Sequence, residues 1–562
     1  MIACSQSVAA AIQGRVRLQT LLVFTTAGGQ YIYSDQRVEA RAESALGRAR
    51  FDGTRSFDGT WSFGDEPAVL GSGRMVKKWA SLQESLTSSS SDLQSGMTQN
   101  DPDNLSVQLT PEAALIPMGA RAELRLVWPG VAVRDGLALF RGEVKSCKSS
   151  RSGGATYKLL AVGLGLRDSL KLPVMVRKAS EYSDPKSETD VLRLVFGDMT
   201  QGGAGGQWQA VCIDVGNSVY ALAGHALQGG VELFDKDGNE ITSGYTLNLA
   251  HDFEGKGTIA TATFAAGATD LEPISVRALG KPVGGSLATN PVDVAQELLV
   301  SHSALSAADL HGPSWARAWA VCEAQGYDAA RAIAGEPKRG DLLTGLLANF
   351  GITWWIGGDG LIHLLADGGS GYIDAGSIAG HLDARLMAAA EKTESTDNIC
   401  NQLKVSYAPT LVGDDTWQAE DDGESTKDVV SQQRHQVRIW DGVELAWVRK
   451  QSVVGAIQAV RISRFGRSRP RWAVAVPDCR LAHVERGDYL TVSSDWLKDD
   501  DGLALSYQIA RVEQVERDPA TGGMKLTILD TGYFRTTARK FDGSWSFDGT
   551  GMFGGERYKE AA

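Results

Sequence analysis

Two stretches of this sequence place aromatic rings, carboxylates and glycines at a fixed spacing. Residues 51–65 read FDGTRSFDGTWSFGD and residues 541–555 read FDGSWSFDGTGMFGG, with ten identities in fifteen positions. Each copy also repeats internally after six residues, so Phe51 and Asp52 return as Phe57 and Asp58, and Phe541 and Asp542 return as Phe547 and Asp548. Phe63 and Phe553 extend the aromatic series, and Trp61 and Trp545 lie inside it. An indole face beside an Asp or Ser is suited to stacking on a pyranose. Phe at six-residue spacing is equally suited to packing one hairpin edge against another protein surface. Asp-Gly between aromatic residues is a tight-turn signal, because Gly accepts positive φ and Asp tolerates the left-handed region. We read the repeats as matched arms that contact protein, with glycan stacking as the alternative.

Other candidate chemistry is thin. The eight histidines are dispersed, and Cys479 with His483 is the one ligand-like spacing; without a second pair it makes no four-ligand site, so no metal is expected. The six cysteines form no CxxC pair, which points away from zinc and from a compact disulfide framework. No HExxH, GxSxG, Walker-type or dinucleotide-binding motif occurs. Paired carboxylates for glycoside hydrolysis would have to come from Asp414, Asp415, Glu420, Asp421 and Asp422 or from Asp499 to Asp501. Both groups read as solvated loops, a poor place to raise a carboxyl pKa by burial. We expect no enzyme, no catalytic residue and no cofactor.

The elements that must position these residues are mostly strands. The chain has 562 residues, 43% of them hydrophobic and 22% charged, with 64 Gly and 14 Trp, which fits several turn-rich β domains. A net charge of −12 disfavours a general nucleic-acid binder. No run of 18 apolar residues predicts a membrane span, and no charged start with an apolar stretch marks a signal peptide. Residues 17–40 alternate as a hairpin turning at Gly28-Gly29, and strands are predicted at 105–110, 121–128, 137–144 and 157–162. Residues 187–196 read as a capped helix start. Asn290-Pro291 opens a helix, a second runs from Arg339 to Asn349, and residues 352–365 form a hairpin. Strands return at 402–407, 437–440, 472–476, 489–492, 507–515 and 524–529.

Several blocks taken together resemble tail-tip proteins of tailed bacteriophages and gene transfer agents, in the baseplate-hub class. They are RLQTLLVFTTAGGQYIYSDQRVEA near the start, SVYALAGHALQGGVELFDKDGNEITSGYTLNLAHDFEGKGTIATATF in the middle, and DLLTGLLANFGITWWIGGDGLIHLLA after it. VERGDYLTVSS with YQIARVEQVERDPATGGMKLTILD closes the series. The resemblance implies a mainly β, multidomain chain with two barrel-like hub domains, a central α+β insert and FDG-repeat arms. The expected units are residues 1–180, an N-terminal hub domain carrying an arm at 50–65; 181–285, β-rich with one short helix; 286–395, the insert; 396–540, the C-terminal hub domain; and 541–562, the second arm. It also implies a homotrimer forming a pseudo-sixfold ring and a place in the virion at the tail tip. The partners would be tail tube, distal tail and central tip or fibre proteins, with DNA only in transit and no stable membrane insertion. The expected function is a structural hub forming part of the DNA-ejection conduit. The alternatives are a receptor- or carbohydrate-binding tail protein, or a tail-associated wall hydrolase.

Overall fold

The computed structural model describes residues 19–534 except 27–28, 35–68, 75, 80–81, 86–103, 112, 114, 128–135, 151–153, 162–168, 202–205, 266–270, 304, 358, 369–377, 411–416, 478, 499–502 and 519–522. The fold is mainly β, with several sheets, one of them nearly closed and barrel-like. Both FDG repeats lie outside the described residues.

The N-terminal sheet contains β1 (Gln19–Thr26), β2 (Gly29–Ser34), β3 (Val69–Arg74), β4 (Val76–Trp79), β6 (Asn104–Leu109), β7 (Arg121–Val127), β8 (Leu137–Ser150) and β9 (Gly154–Ala161). Its spatial order is β3-β2-β1-β7-β8-β9-β6-β4. Strict alternation explains why these segments are strands: along β7, Ala122, Leu124 and Leu126 turn inward while the intervening residues face outward. The C-terminal sheet contains β10 (Ile378–Asp383), β11 (Ala389–Thr393), β12 (Arg471–Val476), β13 (Tyr489–Lys498), β14 (Ala504–Arg517) and β15 (Met524–Phe534), in the order β10-β13-β14-β15-β12-β11. A short strand from the N-terminal part, β5 (Leu82–Ser85), pairs antiparallel with β14 over Gln514–Arg517. One apolar core takes residues from both sheets, among them Phe24, Leu124, Phe140 and Tyr157 with Trp472, Leu490, Val512 and Ile528.

The two sheets repeat one another strand for strand. In each, a three-stranded meander (β7-β8-β9 or β13-β14-β15) ends on a strand that pairs with an earlier one (β6 or β12), which pairs in turn with a still earlier one (β4 or β11). The registers also agree. Arg121 pairs with Glu143 as Tyr489 pairs with Arg511, Val144 with Leu159 as Val512 with Ile528, and Leu105 with Leu159 as Trp472 with Ile528. The long central strand is bulged in the same place, between Val144 and Ser146 and between Val512 and Gln514. Bulges re-aim a strand, so their recurrence marks a shared bend. The difference is an addition: the β1–β2 hairpin is inserted between β3 and β7, whereas β10 pairs directly with β13.

Between the sheets lie a β-rich unit and an α+β unit. The first joins a three-stranded and a four-stranded sheet around Trp208, Leu222, Leu233 and Val276. The second packs α1 (Pro291–Val300), α2 (Gly312–Ala324) and α3 (Arg339–Asn349) on the hairpin Ile352–Ile356 and Ile362–Ala366. Asn290 caps α1 by accepting the Val292 N–H at 3.0 Å, with Pro291 in the first turn where its missing N–H costs nothing. After β11 the chain adds a three-stranded sheet (Gln402–Pro409, Trp417–Asp421, Ile439–Leu445), the short helix α4 (Val429–His435) and α5 (Gln451–Phe465) before returning to β12.

Three sequence expectations need correction. Residues 187–196 form no helix; Leu194–Phe196 is a buried strand paired with Arg331–Ile333, because its three consecutive apolar residues serve a two-sided core better than one helix face. The helices α2 and α5 were not anticipated. Glu420 and Asp421, read from sequence as part of a solvated loop, lie instead in the strand Trp417–Asp421.

Candidate functional site

Of the carboxylates considered for hydrolysis, Glu420, Asp421 and Asp422 fall among the described residues. Asp421 sits at the end of a strand, where burial alone would raise its pKa. The Gln458 amide, the Gly423 N–H and the Gln451 amide nevertheless donate to it and hold it below its ordinary value. A carboxylate satisfied in this way is a structural acceptor and is poorly placed to act as an acid. Asp414, Asp415 and Asp499 to Asp501 lie outside the described residues. His483 is engaged structurally as well: its Nε2 meets the Ala379 carbonyl at 2.8 Å, joining the turn before β13 to β10.

The structure brings together a set of residues that the sequence search missed. His311, Asp359 and His363 place ligand-type atoms within 4.8 Å of one another. The local fold explains their meeting. His311 precedes α2 and donates its N–H to the Ile362 carbonyl at 2.9 Å, and the Trp315 indole N–H donates to the same carbonyl at 2.8 Å, so the first turn of α2 is fastened beside the hairpin strand. Asp359 lies in the hairpin turn and meets His363 Nε2 at 3.0 Å. Gly357 leaves the room, because a Cβ there would stand 2.4 Å from His363 Nε2. The spacing of Asp359 and His363 was the available signal; His311 is too far along the chain to have been joined to them.

This geometry is a stack and lacks the convergence of a metal site. The His311 and His363 rings lie 4.0 Å apart at 13°, and Trp355 stacks on His363 at 5.3 Å and 24°. Imidazole lone pairs lie in the ring plane, so two nearly parallel rings cannot aim at one ion unless one of them turns. His363 Nε2 is also committed to Asp359. Burial, reinforced by the neighbouring His363, pulls His311 down to about 4, so it stacks as a neutral ring at pH 7.

The same hairpin touches the C-terminal sheet at a defined point. Arg486 donates to the Ile356 carbonyl at 2.6 Å, and a Cβ on Gly487 would come within 2.7 Å of the Trp355 ring. In the other sheet the counterpart of Gly487 is Gly119, where a Cβ would meet nothing within 4 Å. The α+β unit is therefore docked on one of two equivalent turns.

None of the FDG residues, including Trp61 and Trp545, can be placed relative to these features, but their attachment points can. The first repeat precedes β3, and the second follows β15. These are different positions in the repeated strand order. Among the described residues no helix is long and apolar enough to cross a membrane.

No protein-family model matches the chain, and no curated protein matches it. Solved structures do. The 43 kDa tail protein of prophage MuSo2 from Shewanella oneidensis is 8% identical, with 92% of this chain and 99% of that one covered and a TM-score of 0.37. The tail protein from Neisseria meningitidis MC58 is 11% identical, covering 80% and 90% at a TM-score of 0.34. Prophage tail protein gp18 from Listeria monocytogenes EGD-e is 7% identical, covering 81% and 89% at a TM-score of 0.32. All three of these solved structures are described as tail proteins, two of them from prophages.

Proposed function

We propose that this chain is a structural hub of a phage tail tip, adapting a sixfold tail tube to a threefold tip and forming part of the DNA-ejection conduit. The observation that carries this reading is the repeated sheet. A chain with two copies of one strand frame can present six near-equivalent surfaces from three copies, which is how a trimer meets a hexamer without a symmetry mismatch. The ordered sequence blocks that resemble baseplate hubs support the same reading.

In this arrangement the N- and C-terminal sheets act as two barrel-like hub domains, and β5 fixes their spacing within a chain. The central units and the FDG arms face tube, distal tail and tip partners. An acidic lumen, in keeping with the net charge of −12, would repel phosphate and keep passing DNA from sticking.

The test is the mass and symmetry of the purified full-length chain, by native mass measurement and particle imaging. A trimer with six barrel-like densities around a channel is expected. A monomer at all concentrations, or a closed ring with a copy number other than three, would overturn the proposal.

A further inference from the structure

On an acidic chain, one cavity is rich in arginine. It has a volume of about 110 Å³ and lies between the C-terminal sheet and the connection leading from α5 into β12. Five guanidinium groups line it, from Arg464, Arg467, Arg469, Arg471 and Arg511, against the carboxylates of Asp367, Glu513 and Asp530. The balance is an excess of two positive charges.

The internal ion pairs leave this excess in place. Glu513, with 1% of its side chain exposed, is shared by Arg471 at 2.7 Å and Arg511 at 3.2 Å. Asp367 takes Arg464 at 3.1 Å and stands 3.9 Å from Arg511. Asp530 is occupied by the Gln508 amide at 2.6 Å and the Gly532 N–H at 2.8 Å. Among the described residues Arg467 makes no ion pair or hydrogen bond, and the buried Arg511 Nε has no acceptor although 8% of that side chain is exposed. A buried donor without a partner is destabilising, more so for a charged group, and folds keep such groups where something compensates them. Burial, followed by the adjacent Arg511 charge, pulls the Arg464 pKa down, whereas at Arg511 burial is outweighed by Glu513 and Asp367, which hold it up.

The strand frame does not require this cluster. In the N-terminal sheet the positions equivalent to Arg511, Glu513, Tyr489 and Arg471 hold Glu143, Lys145, Arg121 and Asn104. Among the described residues the same register is thus built there from other side chains, and the arginine cluster belongs to one of the two sheets.

We infer that this cavity is an oxyanion site for a phosphate group, either free inorganic phosphate or the phosphate of a small ester. Guanidinium forks match the paired oxygens of phosphate, and a dianion neutralises an excess of two. The cavity offers the space of a few water molecules, enough for one such group and too little for a polymer chain. A bound anion would bridge Arg467 and Arg469, on the connection from α5, to Arg511 in the sheet, fastening the inserted unit to it.

The experiment is isothermal titration of the full chain with inorganic phosphate and, separately, with glycerol 1-phosphate, in chloride at constant ionic strength. One saturable site per chain is expected, weakened at least about tenfold in the double variant Arg467→Ala with Arg469→Ala and unchanged in Arg438→Ala. Equal affinity for both probes assigns the site to the dianion itself, and preference for glycerol 1-phosphate assigns it to an ester. Absence of saturable binding of both, or the same affinity in the double variant, overturns the inference. If the double variant melts early, the wild-type chain decides: a rise of roughly 2 °C or more in Tm with a probe over chloride supports the site, and no rise overturns it.

Discussion

Gly119 and Gly487 hold the same place in the two sheets. Each turns the chain at positive φ, +76° and +84°. Each donates its N–H to the bulged valine of the long strand, Gly119 to Val144 at 2.9 Å and Gly487 to Val512 at 2.8 Å, and the next residue accepts from that valine in return. One backbone device thus starts the meander twice.

The pair gives a graded prediction. Gly119→Ala meets only the left-handed backbone penalty, about 1–2 kcal/mol, because no atom lies within 4 Å of the added Cβ. Gly487→Ala carries the same penalty and also pushes on the Trp355 ring. We expect a total above about 3 kcal/mol, since overpacking typically adds 1–3 kcal/mol. Thermal unfolding of the two variants should rank them in that order, and equal destabilisation would show that Trp355 moves aside freely.

The strand that crosses between the sheets can be tested by backbone chemistry alone. Successive N–H groups along a strand point to opposite sides, so one of Gln83 and Glu84 must direct its N–H at β14. Replacing both with proline removes that donor whichever it is, at a cost of about 1–3 kcal/mol for the orphaned partner. Faster limited proteolysis between β4 and β6 is the expected result. An unchanged digestion pattern would mean that β5 contributes little to holding the sheets together.

Much of this frame was legible in advance because strands betray themselves by alternation and by their turns. The strands from Leu105 to Ala161 and from Arg471 to Leu529 were anticipated to within a few residues at most ends, as were α1, from its Asn-Pro start, and the Trp354–Trp355 hairpin. Two hub domains were expected from the resemblance, but their residue-by-residue correspondence was not, because beyond matches such as Gly119 with Gly487 and Val144 with Val512 the side chains differ: Leu105 answers to Trp472, Glu143 to Arg511 and Ala120 to Asp488. Register is set by hydrogen bonds that any residue can make, so it leaves little trace in residue types. The long helix α5 was missed for a related reason. Its buried face includes Gln458 and Arg461 beside Val454 and Ile457, which blurs the apolar stripe. Those two polar residues serve backbone carbonyls, Gln458 at Leu403 and Arg461 at Ala348. The His311, Asp359 and His363 cluster depended on a long-range contact that spacing alone does not carry.

Acid should act through His225. The Val195 N–H donates to its Nε2 at 2.8 Å, which leaves the proton on Nδ1, 2.7 Å from the Ala226 carbonyl. Burial holds the ring down to about 3, so the folded state keeps it neutral where the unfolded state, near 6.5, takes up a proton. The unfolded chain therefore binds more protons between these values. Stability is lost as pH falls, by about 1.4 kcal/mol per unit below 6.5 until 3. Melting followed from pH 7.5 to 5 should show this slope, reduced in His225→Gln. An unchanged slope in the variant would assign the acid sensitivity to other groups.

The FDG repeats yield the most direct test of how the chain works in an assembly. The first precedes β3 and the second follows β15, so neither sits in the interior of the repeated strand frame. Deletion of 541–555 removes residues that follow the last strand of the frame and should leave Tm within about 2 °C of the parent. If the arms grip a neighbouring tail protein, the same deletion stops incorporation into tails, and Trp545→Ala weakens it. If they instead stack on sugars, tails assemble normally, and binding to a glycan array is lost in Trp61→Ala and Trp545→Ala. The ten identities shared by the two copies favour a shared protein surface, because near-identical peptides at two places in one chain can meet similar sites of a symmetric neighbour. Normal assembly after the deletion would overturn that reading.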